Sequence, residues 1–226
     1  MAESDPTRNY LIYAVEVLKL HFAERPNVYV SGNLFIYYEQ GVKDAVVSPD
    51  VFAVFGVEKR DRKSYKVWEE GGVTPDFILE ITSESTRRTD QVEKRRIYAE
   101  LGVAEYWQYD PTSDYLDPPL QGLRLVAGEY EPMAAGGHGS GAVAIRSTVL
   151  GLELRLEGGR LRFYDPATGE YLLSHSEERA ARQAAEAERQ AERAARQAAE
   201  AERQQVIESL LDLSKIEYQG LIGEHS

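Results

Sequence analysis

The chain has no cysteine in 226 residues, so disulfides and thiolate metal sites are excluded. Its four histidines, His21, His138, His175 and His225, are scattered without metal-ligand spacing, which argues against zinc. No apolar run reaches the length of a membrane span and no signal-like start is present, so a cytoplasmic protein without membrane association is expected. Positive charge is also outweighed, with 26 Lys and Arg against 38 Asp and Glu. The formal net charge is −12, whereas broad nucleic-acid binding rests on phosphate neutralisation by Lys and Arg; any such contact must be local. Neither a phosphate loop of the GxxxxGK type nor a serine nucleophile elbow occurs.

What is present begins with three apolar runs, NVYVSGNLFIYYEQ (27–40), VVSPDVFAVFGV (46–57) and TPDFILEIT (74–82). VFAVFGV and FILEI are too apolar for a sheet with one wet face, so they read as central strands covered on both sides. Leu11, Val15, Leu18 and Phe22 recur at helical spacing, predicting a helix over 8–24 that ends before Pro26. Strands are expected at 27–39, 46–57, 75–82 and 104–110, with a helix at 89–101 stopped by Gly102. Beyond Asp110, apolar alternation broken by Ala-Gly, Gly-Gly and Asp-Pro predicts hairpins, with MAAGGHGSGA (133–142) as a flexible loop. The result is an αβββαβ core with a β-hairpin extension, an α/β fold.

Chemistry concentrates on this core. Asp50 follows a proline where the second run begins, Glu80 lies inside the third, and Lys94 sits on the following helix. Two strand-borne carboxylates and an ammonium suit metal-dependent phosphodiester hydrolysis. Each also has a plainer reading: Asp50 as a turn residue, Glu80 in a buried salt bridge, Lys94 in an ordinary helix pair with Asp90. Asp76 and Glu16 are secondary candidates. Asp76 precedes Glu80 by four residues and so shares its strand face; Glu16 is on the first helix, where a solvated role is the alternative. Tyr98, Tyr106 and Trp107 could stack on bases, although their spacing also suits a core. Basic residues cluster at Lys59, Arg60, Arg62, Lys63 and Lys66, and at Arg87, Arg88, Lys94, Arg95 and Arg96.

Composition changes near residue 174, dividing the chain into a domain at 1–173 and a tail at 174–226. From Glu177 to about Ile216 there is no Gly or Pro, and RAARQAAEAERQ occurs at 179–190 and again at 193–204. Ala180, Ala184, Ala187, Ala191, Ala194, Ala198 and Ala201 follow alternating spacings of four and three, the seam of a left-handed supercoil. Alanine buries little area, so Val206, Leu210 and Leu213 would have to add to the seam. A self-associating coiled coil and a solvated long helix are the two outcomes.

SPDVFAVF at 48–55, PDFILEITSEST at 75–86, Asp90 with Lys94, Tyr98, and GVAEYWQYDP at 102–111 together resemble the PD-(D/E)XK nuclease superfamily. More closely, they resemble the Uma-two family of restriction-type endonucleases. The resemblance covers roughly residues 8–173. It implies a restriction-endonuclease-like core with a mixed central sheet and a metal-dependent endonuclease acting on DNA. By position, the strand Asp falls on Asp50 and the acidic residue of the (D/E)XK element on Glu80. The lysine position then holds Thr82, and the ammonium is supplied instead by Lys94 on the next helix.

On that reading Asp50 and Glu80 are hard oxygen ligands for Mg²⁺, with Mn²⁺ as a substitute, and the Ile81 carbonyl could help. The cation polarises the phosphoryl group and acidifies a water that Lys94 assists. A homodimer formed through the tail would present two sites to a duplex. The competing reading is a nuclease-derived module that no longer cuts and binds or scaffolds through its helical tail.

Overall fold

The structure, a computed structural model, describes residues 5–83, 88–138 and 142–223. In chain order the elements are α1 (Asp5–His21), β1 (Val28–Ser31), β2 (Ile36–Tyr37), β3 (Val46–Val47), β4 (Val51–Phe55), β5 (Tyr65–Lys66) and β6 (Phe77–Ile81). A wide π-helical turn (Thr89–Lys94) leads into α2 (Arg95–Glu100) and β7 (Glu105–Tyr109). There follow β8 (Leu120–Val126), β9 (Glu129–Pro132), β10 (Ala135–His138), β11 (Ala142–Arg146), β12 (Glu153–Glu157), β13 (Arg160–Asp165), β14 (Glu170–Tyr171) and α3 (His175–Gly223).

Six strands form the central sheet in the order β1-β4-β6-β7-β8-β9. All neighbours are antiparallel except β6 and β7, which run parallel because α2 carries the chain back across the sheet. The sheet is therefore mixed, and its core follows the αβββαβ order. Every residue of β6 and β7 is buried. One face meets α1: Val17, Leu18 and Phe22 pack with Val51, Ala53, Phe77, Leu79 and Trp107. That core is shared with Leu154, Leu161 and Phe163 of the antiparallel sheet β10-β11-β12-β13-β14 and with Leu152 just before β12. The other face packs Phe52, Val54, Ile78 and Tyr106 against Tyr98 of α2 and against Ile36, Val47 and Tyr65 of the small sheet β3-β2-β5.

Several local features depart from the pattern in the sequence. The run 27–39 is two strands, because the chain breaks at Gly32 and Asn33. A Cβ on Gly32 would lie 2.2 Å from the Asp50 carbonyl oxygen and 2.7 Å from a Val15 methyl, so only glycine fits. Asn33 then takes φ 48° and donates its N–H to the carbonyls of Pro49 and Asp50. The run 46–57 likewise divides into β3 and β4. Of the stretch 133–142 expected to be a loop, Ala135–His138 is strand β10, paired with β11; residues 139–141 lie outside the described residues. Ala127 and Gly128 form the two-residue hairpin turn read between β8 and β9, both with positive φ as a type I′ turn requires.

Residues 1–174 and 175–226 form two separate units. In the second, α3 is a 49-residue helix whose positions 179–208 are exposed wherever their side chains are described, the alanine seam included. At about 1.5 Å per residue it would extend about 74 Å. Leu213 and His225 lie outside the described side chains. Among the described residues no helix is long and apolar enough to cross a membrane.

Candidate active site

Asp50 and Glu80 meet because of strand register. Val51 pairs with Leu79 in the antiparallel β4–β6 ladder, which brings the residue before β4 opposite the fourth residue of β6. Both side chains project from the α2 face, as Phe52 and Ile78 do. The two carboxylates cross: Ile81 N donates to Asp50 Oδ2 at 2.7 Å, and Asp50 N to Glu80 Oε2 at 3.4 Å. The Gly32–Asn33 break fixes the Asp50 backbone from behind through the two Asn33 bonds.

Lys94 is brought to the same place. Its ammonium lies 2.8 Å from Glu80 Oε2 and 3.0 Å from Asp90 Oδ1. The lysine thus stands beside the Glu80 carboxylate and in the i, i+4 pair with Asp90 at once, but that pair is not a solvated helix pair, since Asp90 is 1% exposed. Glu80 is fully buried, and its second oxygen, Oε1, accepts from the Tyr98 hydroxyl at 2.7 Å. Asp50 is only partly buried, so it is the side from which a cation could arrive.

One ammonium among three carboxylates sets the electrostatics. Burial raises Glu80, to about 8; Lys94 acts against that shift, while Asp50 and Asp90 add to it. For Lys94, burial opposes the charge, but Glu80, Asp90 and Asp50 outweigh it and hold the ammonium protonated above its ordinary range. The glutamate is thus pushed toward its neutral form, by burial first and by the neighbouring carboxylates second, while those carboxylates hold the lysine beside it in its charged form. A divalent cation between Asp50 and Glu80 would offset the excess of negative charge, so the residues fit one. Among the described residues no group of three or more His, Asp or Glu gathers as a ready-made metal cage. Two carboxylates with the remaining positions left to water and substrate suit Mg²⁺ better than a closed structural ion.

The secondary candidates lie elsewhere. Asp76 does not join the pair; its Oδ2 accepts from Phe55 N at 2.8 Å, at the far end of β4, and burial raises its pKa. Sharing a strand face is not enough, because four residues along a strand span about 13 Å. Glu16 is half-buried on α1, which packs on the face opposite Glu80. Tyr98, Tyr106 and Trp107 are fully buried, so they serve the interior and not base stacking.

Much of the basic cluster after β4 is also committed to structure. Arg62 pairs with Glu70 at 2.7 Å and stacks over Tyr29, Lys66 pairs with Glu69, and Lys59 donates to the carbonyls of Phe22 and Ala23 at the end of α1. Around α2, Arg96 pairs with Glu100 and Arg95 donates to the Tyr130 carbonyl; Arg87 lies outside the described residues. A cleft of about 330 Å³ lined by Lys19, Tyr29, Ser31 and Lys59 follows the β1 edge, away from Glu80.

Sequence reasoning missed Asp90 as a buried member of the site, Tyr98 as the partner of Glu80, and Gln108. Gln108 pairs with Glu80 in the β6–β7 ladder and donates to the Tyr106 hydroxyl at 3.2 Å. A glutamine inside the fully buried strand EYWQY was the available signal. Glu105, also buried, has a structural role instead. Its carboxylate accepts from Ser147 Oγ, Thr148 N and Thr148 Oγ1, fastening the turn before β12 to the central sheet. Thr82, at the position where the resemblance expects lysine, is buried with a hydroxyl that lacks a hydrogen-bond partner.

An α/β domain with a mixed sheet and a carboxylate–carboxylate–ammonium site is the setting in which the comparisons with known proteins fall. The model of the Uma2 family, described as "Putative restriction endonuclease", matches residues 3–157, and the chain belongs to this family. Among solved structures, a chain from Anabaena variabilis ATCC 29413 described as "a putative nuclease belonging to DUF820" is similar at 15% identity and a TM-score of 0.46. It covers 62% of this chain and 75% of its own. No curated protein matches.

Proposed function

We propose that residues 1–173 form a divalent-metal-dependent endonuclease that hydrolyses phosphodiester bonds of DNA. Asp50 and Glu80 would hold Mg²⁺, or Mn²⁺ in its place, and Lys94 would assist the attacking water. The observation that carries this reading is the Lys94 ammonium 2.8 Å from Glu80 Oε2, on the carboxylate that crosses with Asp50. Membership of a restriction-endonuclease family, which typically uses divalent metals, supports it. When bound, the cation supplies Lewis-acid polarisation of the phosphoryl group and a more acidic water. The chain's own residues do the rest. Asp50 and Glu80 would hold the cation that draws in the scissile phosphate, and Lys94 would donate hydrogen bonds to the attacking water or to the charge growing on the phosphoryl oxygens. The test is cleavage of plasmid and oligonucleotide substrates with and without Mg²⁺ or Mn²⁺.

A homodimer through α3 and a cytoplasmic location complete the proposal. The exposed alanine seam and the two-heptad repeat support the first, and the absence of cysteine supports the second. The same exposed helix favours a second reading, a module that no longer cuts and scaffolds through α3. Full-length protein that binds partners but cuts no nucleic acid under any divalent metal would establish that alternative.

A further inference from the structure

We propose that Asp90 is the residue that positions Lys94, acting through its side chain and its backbone at once; the inference rests on the nuclease reading of the site and deepens it. The side chain contributes charge. Asp90 Oδ1 is buried 3.0 Å from the ammonium, an ionic contact with no directional hydrogen bond of its own. The backbone contributes place. The Asp90 carbonyl accepts from the Tyr106 hydroxyl at 2.7 Å, and that hydroxyl in turn accepts from Gln108 Nε2 at 3.2 Å. Tyr106 and Gln108 stand on β7, hydrogen-bonded to β6, the strand that carries Glu80. The chain Gln108–Tyr106–Asp90 therefore ties the π-helical turn, and Lys94 with it, to the sheet that holds the carboxylates.

The arrangement solves a problem set by the chemistry. Glu80 Oε2 is the near partner of Lys94, yet it is also an oxygen that a cation would take. Once Glu80 serves the cation, an ammonium held by Glu80 alone would be free to swing out. Asp90, 3.0 Å from the same ammonium, keeps it in place. A wide π-helical turn suits this, since its loosened backbone leaves carbonyls able to accept a donor from outside the helix. Tyr98 complements this by holding Glu80 Oε1, which leaves Oε2 turned toward Asp50 and Lys94.

The experiment uses the full chain labelled with ¹⁵Nζ-lysine, the Lys94 signal being assigned by its loss in Lys94→Ala. Wild type should show a Lys94 ammonium whose protons exchange slowly with water. In Asp90→Asn, and independently in Tyr106→Phe, that exchange should be at least about tenfold faster, with melting temperatures recorded to confirm folding; an unchanged rate in the folded variants overturns the proposal. In parallel, cleavage at saturating Mg²⁺ should fall about tenfold or more in each variant through kcat, with KM for DNA little changed, the usual range for a residue that orients a catalytic group. In a Lys94→Ala background neither substitution should cost anything further. An equal proportional loss with and without Lys94 also overturns it. A wild type that cuts nothing yet shows the exchange pattern removes the nuclease reading while leaving Asp90 as the anchor of Lys94.

Discussion

Glu80 sits in a dry strand with one ammonium and two further carboxylates around it, and its proton is held to about 8 by burial against an ordinary value of 4.5. The consequence for stability has a definite sign. Between about 4.5 and 8 the folded protein keeps a proton that the unfolded chain has lost, so the contribution is full below 4.5, declines as pH rises, and is gone above about 8. Glu80→Gln keeps the shape without the titration. In metal-free buffer its melting temperature should therefore gain on wild type as pH climbs from about 5 to 8.5, and saturating Mg²⁺ should remove the wild-type slope; parallel curves would contradict the assignment. Cation affinity should also rise with pH, by up to about tenfold per unit below 8, because the proton must leave first. The residue types of Asp50, Glu80 and Lys94 made this trio legible in the sequence. The depth of Asp90 was not legible, because an Asp–Lys pair at i, i+4 looks the same whether its helix face is wet or dry.

At the scale of elements, two irregular segments place the site. The Gly32–Asn33 break grips the Asp50 backbone, and the π-helical turn presents Lys94. Gly32→Ala would put a methyl group into the Asp50 carbonyl and the Val15 side chain. Overpacking of this kind costs about 1–3 kcal/mol. Urea denaturation should show that loss, and calorimetry should show weakened Mg²⁺ binding because Asp50 must move; an alanine variant with unaltered stability and affinity would mean that the break is incidental. Gly122 offers a control on the opposite face of the sheet, since a Cβ there would meet the Trp107 ring at 2.9 Å in the core shared with α1. Gly122→Ala should lower stability while leaving metal affinity unchanged. The covered strands FILEI and VFAVF were legible because runs so nearly apolar leave no wet face. The break at 32–33 was not, because a close approach between distant segments leaves only a glycine as its trace in the sequence.

For the whole molecule, a domain that brings Asp50, Glu80 and Lys94 together within one chain carries a long helix whose described side chains are exposed from 179 to 208. The composition shift and the repeat made that helix legible; no heptad pattern says whether a weak alanine seam closes on a second copy. Wild type should sediment as a dimer at tens of micromolar, and Ala191→Glu with Ala198→Glu should yield monomers that still nick single strands. A monomeric wild type under those conditions would remove the dimer and leave α3 as an arm for another partner. The central claim, that Asp50, Glu80 and Lys94 form a metal-dependent phosphodiesterase site, is tested most directly by plasmid cleavage with purified wild type, Glu80→Gln and Lys94→Ala. The expected result is cleavage by wild type only with Mg²⁺ or Mn²⁺, none by Glu80→Gln, and a loss of about a hundredfold or more by Lys94→Ala, in the range for a group assisting proton transfer. Cleavage by wild type that survives a chelator, or equal rates in all three proteins, would contradict it.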